Sequence, residues 1–415
     1  MTVSVASLQF ALKTLWPQDR IRNEVYPDHP FLALIPKRED FYGDSMYIAV
    51  RTGDPQGRSA QFATAQTLSA LANTAGNAGS ARGARFLITR AKDYQVINLE
   101  TEIILASKRD EGALIRALDV EMKAGTNNIG KSLATALFRG ASGTIGGIGA
   151  IAATTITLSN INDVTSYEVG MVLVAAPDLN TSINRATPAT ATITGVDRDQ
   201  GILSFAAATF TGTTWVPTDL LFASGDRTAA GGALLKVMGL ADWVPSVSPT
   251  STLFNGVDRS VDATRLGGLR VDASAFSPEE GLVLTLSRQA REGGKQTNIL
   301  VNHADYRNIQ FSLGSKVETT YQTVGEIGFQ SIQMHGPKGV VSVLADQDCP
   351  AGRAYSLDMS TWMLASLEGC PQILNMDGNQ LSRVTNADQF EARMVYFANT
   401  YCVAPGYNAT IVMPT

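Results

Sequence analysis

An α+β fold with a long helix, a very long loop and a small inserted β domain is what the 415-residue sequence predicts. Three observations carry that prediction. Residues 110–139 hold one amphipathic helix pattern, residues 150–225 break into short β-prone runs at regular intervals, and residues 229–390 mix strand and helix patterns. At about 150 residues per domain, the length leaves room for two or three domains and a sizeable core.

Taken in order, residues 1–45 form a mixed lead-in. Three prolines fall within YPDHPFLALIP (26–36), with apolar side chains between them, so no single regular element fits and an extended arm packed against something else is expected. MYIAVRT (46–52) reads as a strand. Residues 53–84 consist of Gly, Ala, Ser, Thr, Gln and Asn with almost no large apolar side chains. They give way to the β-branched stretch RFLITRAKDYQVINLETEIILAS (85–107). A connection of this length inside a compact domain is usually functional or disordered, and a hairpin-like arm ordered by neighbouring subunits is the sharper expectation.

Leu114, Leu118, Met122, Ile129, Leu133 and Leu137 mark one face of the helix at 110–139. Asp110 and Glu111 suit its N-terminal dipole. Roughly thirty residues give a helix of about 45 Å, which Gly125 and Gly130 are expected to weaken or bend. Between residues 150 and 225, the runs TTITL, VGMVLVAA, TATITGV, GILSFAA and DLLFA predict a small sandwich or barrel. Beyond 229, Ser277-Pro278-Glu279-Glu280 is a capping box with Pro at the first helical position, and Gly293-Gly294 stops that helix. A strand at 297–302, a helix through HADYRNIQFSL, strands at 339–345, 353–358 and 361–367, a long strand at 390–405 and a closing NATIVM follow.

Charged residues make up 17% of the chain, against roughly 25% in an ordinary soluble protein. Hydrophobic residues at 44% exclude a disordered polyelectrolyte. A large chain with so little charge has a surface that favours association. The three histidines, His29, His303 and His335, stand apart in sequence, which removes many classes of enzyme. Cys349, Cys370 and Cys402 are odd in number and lack CxxC spacing, so small buried thiols in a reducing compartment are expected, with no zinc site or disulfide framework. MTVSVASLQFALKTLW lacks a basic region followed by a long apolar run, so no signal peptide is expected. The uncharged stretch 140–162 is too rich in Gly, Thr and Asn for a good membrane span. The sequons at Asn180 and Asn408 then have no compartment in which to be glycosylated.

Gly125-Thr126-Asn127-Asn128-Ile129-Gly130-Lys131-Ser132 matches the phosphate-binding pattern GxxxxGK[ST]. That chemistry needs a buried strand before the glycines, so that free backbone N–H groups can wrap the phosphates. Here an amphipathic helix leads in and runs on through Leu133, and the helix is the expectation. VVSVLAD (340–346) could serve as the partner acidic strand, a common pattern. Asp346/Asp348 and Glu279/Glu280 read as turn and helix-start residues, His303 as a capping or hydrogen-bonding residue, and His335 as the residue before a Gly-Pro turn. Arg58, Arg82, Arg85 and Arg90 are too sparse for a nucleic-acid groove and suit ion pairs with a neighbouring subunit. No lysine occurs from Ser132 to Leu235, which is unusual for a nucleic-acid surface.

The order of elements, together with DWVP…LFNGVDRS (242–260), TNILVNHADYRNIQFSLGS (297–315) and IQMHGPKGVVSVLADQDCPAGRAYSLDMSTW (332–362), resembles the major capsid proteins of tailed bacteriophages with the Hong-Kong-97-type fold. The resemblance implies an N-terminal arm at 1–46, an extended loop with flanking strands at 47–106 and a spine helix of the peripheral domain at 107–140. It further implies an inserted β-rich domain at 141–228, an axial domain at 229–387 and a C-terminal return to the peripheral domain at 388–415. It also implies a non-enzymatic subunit without cofactor or metal, assembled in the host cytoplasm into an icosahedral head. Its partners would be many copies of itself in hexamers and pentamers, with scaffolding, portal and decoration proteins beside them. Double-stranded DNA would be enclosed through weak non-specific contact, and no membrane would be involved. Arg58, Phe62, Arg82 and Arg85 are the residues expected to meet neighbouring subunits. The absence of lysine between Arg38 and Ala91 puts loop crosslinking through lysine in doubt, and scaffolding is expected from a separate protein, if it is needed. An encapsulin-like compartment and a nucleotide-binding enzyme using Gly125–Ser132 are the competing readings.

Overall fold

The computed structural model describes residues 16–55, 57–71, 82–101, 111–179, 182–228, 234–314, 319–324, 327–375, 379–385 and 387–414. The expected helix start at Asp110, the end of the extended loop at 102–106 and the sequon at Asn180 fall outside them.

The segment read as an extended arm is helical where described. Its elements are α1 (Gln18–Val25), a 3-10 turn at Tyr26–Asp28 and α2 (Pro30–Leu34). Two of the three prolines that forbid one continuous helix, Pro27 and Pro30, sit at the start of a short one, where a missing N–H costs nothing, and Pro36 follows the end of α2. Trp16, Ile21, Val25, Phe31, Leu32 and Ile35 are buried in the chain's own main core, so this part is packed within the subunit. A parallel pairing of β1 (Lys37–Arg38) with a later strand follows.

Next, β2 (Ser45–Gly53) pairs antiparallel with β3 (Arg82–Thr89) across the long connection. Within that connection lies α3 (Phe62–Leu71), a helix the polar, small-residue composition did not predict. Ala, Gln and Leu are good helix formers, and propensity decides where no packing competes. A ten-residue strand, β4 (Ala91–Glu100), leads toward α4 (Glu111–Arg139).

Leu118, Met122, Ile129, Leu133 and Leu137 form the buried stripe of α4. Its interior glycines are sites of close approach. A Cβ at 125 would lie 2.4 Å from Ile97 Cδ1 on β4, and one at 130 would lie 2.5 Å from Val25 Cγ1 on α1. At the C-terminus, Gly140 takes φ +95°, and the Asp242 carboxylate accepts the Ala141 N–H at 2.7 Å.

The β domain closes into a barrel of β5 (Thr144–Ile151), β6 (Thr155–Leu158), β7 (Val172–Ala176), β8 (Ala191–Asp197), β9 (Ile202–Phe205) and β10 (Leu220–Ala223), in the order β10-β5-β6-β9-β8-β7. It begins at Thr144, earlier than the β-prone runs indicate. Gly146 and Gly147 in β5 admit the Tyr167 hydroxyl and the Ser159 side chain, which a Cβ would meet at 2.7 and 2.8 Å. Ile156, Tyr167, Leu173, Ile193, Leu203, Trp215 and Leu221 fill the interior. Closure leaves this unit no free strand edge.

Two further sheets complete the chain. One orders β11 (Leu269–Asp272), β21 (Ala409–Val412), β16 (Arg353–Leu357), β12 (Asn298–Val301), β15 (Gly339–Ala345), β14 (Ile327–Gly336) and β13 (Thr319–Val324). α5 (Pro278–Glu292) and α6 (His303–Leu313) pack on it through Leu282, Leu286 and Ile309. The Ser277–Glu280 capping box forms reciprocally, and Gly293 caps α5 at φ +103°. On α6 the cap is Asn302, which accepts the Ala304 N–H, and His303 is exposed at the first helical position. The other sheet centres on β20 (Gln389–Cys402), flanked by β4, β17 (Trp362–Ser366), β18 (Gln372–Ile373) and β19 (Leu381–Arg383), with β1 beyond β17.

Sheet membership therefore divides the C-terminal part differently from the expected 229–387 and 388–415 segments. Strands β17–β19 join β20, whereas β21 crosses into the seven-stranded sheet. All three cysteines are buried, and none is in a disulfide. Asn408 is fully buried, its side chain accepting from the Asp358 N–H at 2.9 Å and the Trp362 indole N–H at 2.9 Å, so it presents no acceptor for a glycan.

Candidate intersubunit surface

The β2–β3 hairpin has two unlike faces. Phe86 and Ile88 are fully buried and Val50 nearly so. The Phe86 ring meets Trp243 edge-on at 5.1 Å and Phe254 at 6.1 Å, and the Leu87 N–H donates to the Asn255 carbonyl at 2.9 Å. These contacts anchor the base of the hairpin to the body. On the opposite face Tyr47 is 60% exposed, and Arg85 lies over its ring with Cζ 5.1 Å from the centroid. Alternation along both strands produces this division, because successive side chains point to opposite faces.

Near the end of β2, Arg51 meets Asp54 at 3.1 Å just beyond the paired strands, and Asp54 approaches Arg265 at 3.8 Å. Gly57 packs against α3, where a Cβ would lie 3.0 Å from Ser69 Cβ. Helix α3 (FATAQTLSAL) has no charged residue, and Phe62 at its start is 79% exposed. Leu68 is exposed as well. Exposed large apolar side chains grouped on one uncharged element are the kind of surface that marks an interaction site.

Of the four residues singled out in sequence, Arg82 and Arg85 stand exposed on β3, while exposed Arg58 and Phe62 lie in the arm beyond the strands. Sequence reasoning missed Tyr47 and Leu68. The signal for Tyr47 was its place in the alternation of MYIAVRT, opposite a basic strand. Between Ser45 and Thr89 the chain carries four arginines and one aspartate, a basic arm on a protein of net charge −5. The body holds the compensating excess of acid, so the arm and the body are opposite in charge.

The phosphate-loop pattern resolves differently. Gly125–Ser132 is helical throughout, so its backbone N–H groups are spent within α4. Lys131 pairs with Glu168 at 3.2 Å, and the Ser132 hydroxyl donates to Asp93 at 2.8 Å. Both line a cavity of about 790 Å³ between α4, β4 and the barrel. At its floor Lys236 Nζ meets Asp93 at 2.5 Å and Asp226 at 3.0 Å. Burial pushes the Asp226 carboxyl up to about 6 against the opposing pull of Lys236. The Lys131–Glu168 and Arg139–Asp163 pairs hold the barrel to α4, while Lys236 ties β4 to the segment that leaves the barrel. Among the described residues, no cluster of three or more His, Cys, Asp or Glu side chains is placed to hold a metal ion, and no helix is long and apolar enough to cross a membrane.

No protein-family model matches the chain, and no curated protein matches it. Solved structures are similar to it over most of its length. The capsid asymmetric unit of cyanophage A-1(L) is 10% identical, with 94% of this chain and 93% of that one covered and a TM-score of 0.46. The capsid of a native GTA particle is 9% identical, with 94% and 91% covered and a TM-score of 0.45. The holo-SrpI encapsulin complex from Synechococcus elongatus is 10% identical, with 99% and 95% covered and a TM-score of 0.40.

Proposed function

We propose that this chain is the major capsid protein of a tailed-phage-like particle, a non-enzymatic subunit that assembles with many copies of itself into a closed icosahedral shell around double-stranded DNA. The observation that carries the reading is the β2–β3 arm. Its base is bolted to the core through Phe86, while its far part is basic, presents an uncharged helix and holds Phe62 79% exposed. Exposed apolar surface of this kind costs free energy in water, and burying it against another copy relieves that cost. In this reading Arg58, Phe62, Arg82 and Arg85 meet the neighbouring subunit, α4 is the spine of the peripheral part, and the barrel is an insertion that projects from the shell. Hexamers and pentamers would build the head in the host cytoplasm, with scaffolding, portal and decoration proteins as further partners. Contact with DNA would be weak and non-specific, since a mildly acidic chain makes few phosphate contacts.

Negative-stain microscopy and sedimentation of the purified protein test this. Closed shells tens of nanometres across are expected, at roughly the size a many-copy assembly of standard interfaces gives. Deleting residues 53–84 is expected to leave a folded subunit that forms no stable shells. A small monodisperse particle from the full chain, or normal shells after the deletion, would overturn the proposal. Shells that fill with protein cargo and never with DNA would favour an encapsulin-like compartment.

A further inference from the structure

His29, read from the sequence as solitary, has a partner 319 residues away. Its Nδ1 lies 2.5 Å from Asp348 Oδ2, with side chains 6% and 3% exposed. Asp348 Oδ1 accepts the Thr135 hydroxyl of α4 at 3.3 Å. Asp346 sits beside them, 1% exposed, accepting the Phe31 N–H at 3.0 Å and the Asp348 N–H at 3.0 Å. Three parts of the fold converge here: the N-terminal segment 26–35, the helix α4 and the turn between β15 and β16. The polar contacts that fix the N-terminal segment to that turn include this cluster and the bond from Gln347 Nε2 to the Asp28 carbonyl at 3.3 Å.

Other ionisable groups face the cluster from every side. Asp28 neighbours His29 on its own segment. Cys349 follows in the turn, Asp305 approaches from α6, Tyr355 and Arg353 from β16, and Arg139 from α4. Arg139 is committed to Asp163 of the barrel. When protonated, the imidazole of His29 is the cation inside the cluster, facing the Asp348 carboxylate and the Asp346 carboxyl.

We propose that His29, Asp346 and Asp348 form a proton-operated latch that holds the N-terminal segment 26–35 on α4 and the β15–β16 turn, closed in mildly acidic solution and loosened in alkaline solution. The proposal stands on its own geometry and goes beyond the shell reading. Its direction follows from two groups that act in the same sense. Burial pulls the His29 imidazole down, but the hydrogen bond and charge of Asp348, with Asp346 and Asp28 behind it, outweigh burial and raise it. A raised imidazole contributes stability below its unfolded range, which is lost as pH rises through the folded value. Burial and the Asp348 charge hold the Asp346 carboxyl well above its usual range, against the two N–H donors and His29. A raised carboxyl also favours the folded state at low pH and disfavours it once ionised. Loss of both protons removes the imidazolium charge and sets the Asp346 carboxylate against Asp348 in a site with little water to screen them.

Hydrogen–deuterium exchange of the full chain, corrected for intrinsic exchange, tests the latch at about pH 6 and about pH 9. Protection across 26–35 is expected to fall by about tenfold or more, while the barrel strands 144–158 keep theirs. Asp346→Asn cannot ionise and is expected to show a smaller fall than the parent. His29→Gln removes the cation and is expected to show low protection at both pH values. Should that variant not fold, the Asp346→Asn comparison decides. Equal protection of 26–35 at the two pH values, an undiminished fall in Asp346→Asn, or parallel loss in the barrel would each overturn the proposal.

Discussion

Gly125 and Ile97 share one space: a Cβ on the helix at 125 would lie 2.4 Å from Ile97 Cδ1 and 2.9 Å from its Cγ1. The glycine that lends α4 its phosphate-loop appearance is there so that β4 can lie directly against the helix. Ordinary helix propensity says Gly125→Ala gains about 1 kcal/mol. Overpacking a tight contact costs about 1–3 kcal/mol, and Ile97 is β-branched and stiff, so the cost wins. We expect Gly125→Ala to lower the urea midpoint in the parent and to cost less in an Ile97→Ala background, a coupling that a double-mutant cycle reads directly. A higher midpoint for Gly125→Ala alone would mean that the helix and strand are not so close.

Lys131 gives the complementary test of that motif. Its pair with Glu168 is partly exposed, at 26% and 59% for the two side chains, and such pairs are worth about 0–1 kcal/mol. Lys131→Ala is therefore expected to change stability by under about 1 kcal/mol and to leave assembly intact. Measurable ATP binding by the parent that disappears in this variant would revive a nucleotide site.

The Lys236 cluster is asymmetric. Lys236, 5% exposed, serves both Asp93 and Asp226. Lys236→Met leaves two carboxylates facing each other without a cation and is expected to cost about 3 kcal/mol or more. Asp226→Asn leaves Lys236 with Asp93. Since burial raises Asp226 to about 6, its ionisation subtracts stability as pH rises from its unfolded range through that value. Asp226→Asn is expected to flatten the stability profile between about pH 4 and about pH 6, matching the parent near pH 4 and being at least as stable as the parent near neutral pH. Chemical unfolding across that range checks both variants, and a large loss in Asp226→Asn at neutral pH would show that the pair is needed.

What could be read in advance follows the range of the interaction. The boundaries of α4 and α5 rest on local periodicity and caps: Ser277 and Glu280 sit three residues apart and Gly293 closes the same helix. Barrel strands were legible as runs, but β5 was hidden because its glycines accept neighbours from elsewhere in the chain. Sheet membership was not legible. Trp362 pairs with Cys402 and Arg353 with Val412, so adjacent stretches feed different sheets for reasons that lie forty or more residues away. His29 and Asp348 are farther apart still, and no spacing rule links them. The exposure of Arg58, Phe62 and Arg82 was legible through composition, since a run with almost no apolar core residues has to be exposed, whereas α3 was not, because its helix has no buried stripe to give a period.

Phe62 is the sharpest test of the assembly surface. A side chain 79% exposed contributes little within its own subunit, so Phe62→Asp is expected to shift unfolding by no more than about 0.5 kcal/mol. If the arm seats on another copy, the same change buries a carboxylate without a partner at the contact, and shells should fail to form although the subunit remains folded. Phe62→Leu keeps an apolar anchor and should still assemble. The arm's arginines add a second signature: their attraction to an acidic neighbour is screened over about 8–10 Å at moderate ionic strength, so raising salt should slow assembly of the parent, and less so that of Arg85→Gln. Light scattering of assembly for the four proteins separates the two contributions. Normal shells from Phe62→Asp would place the contact elsewhere on the subunit.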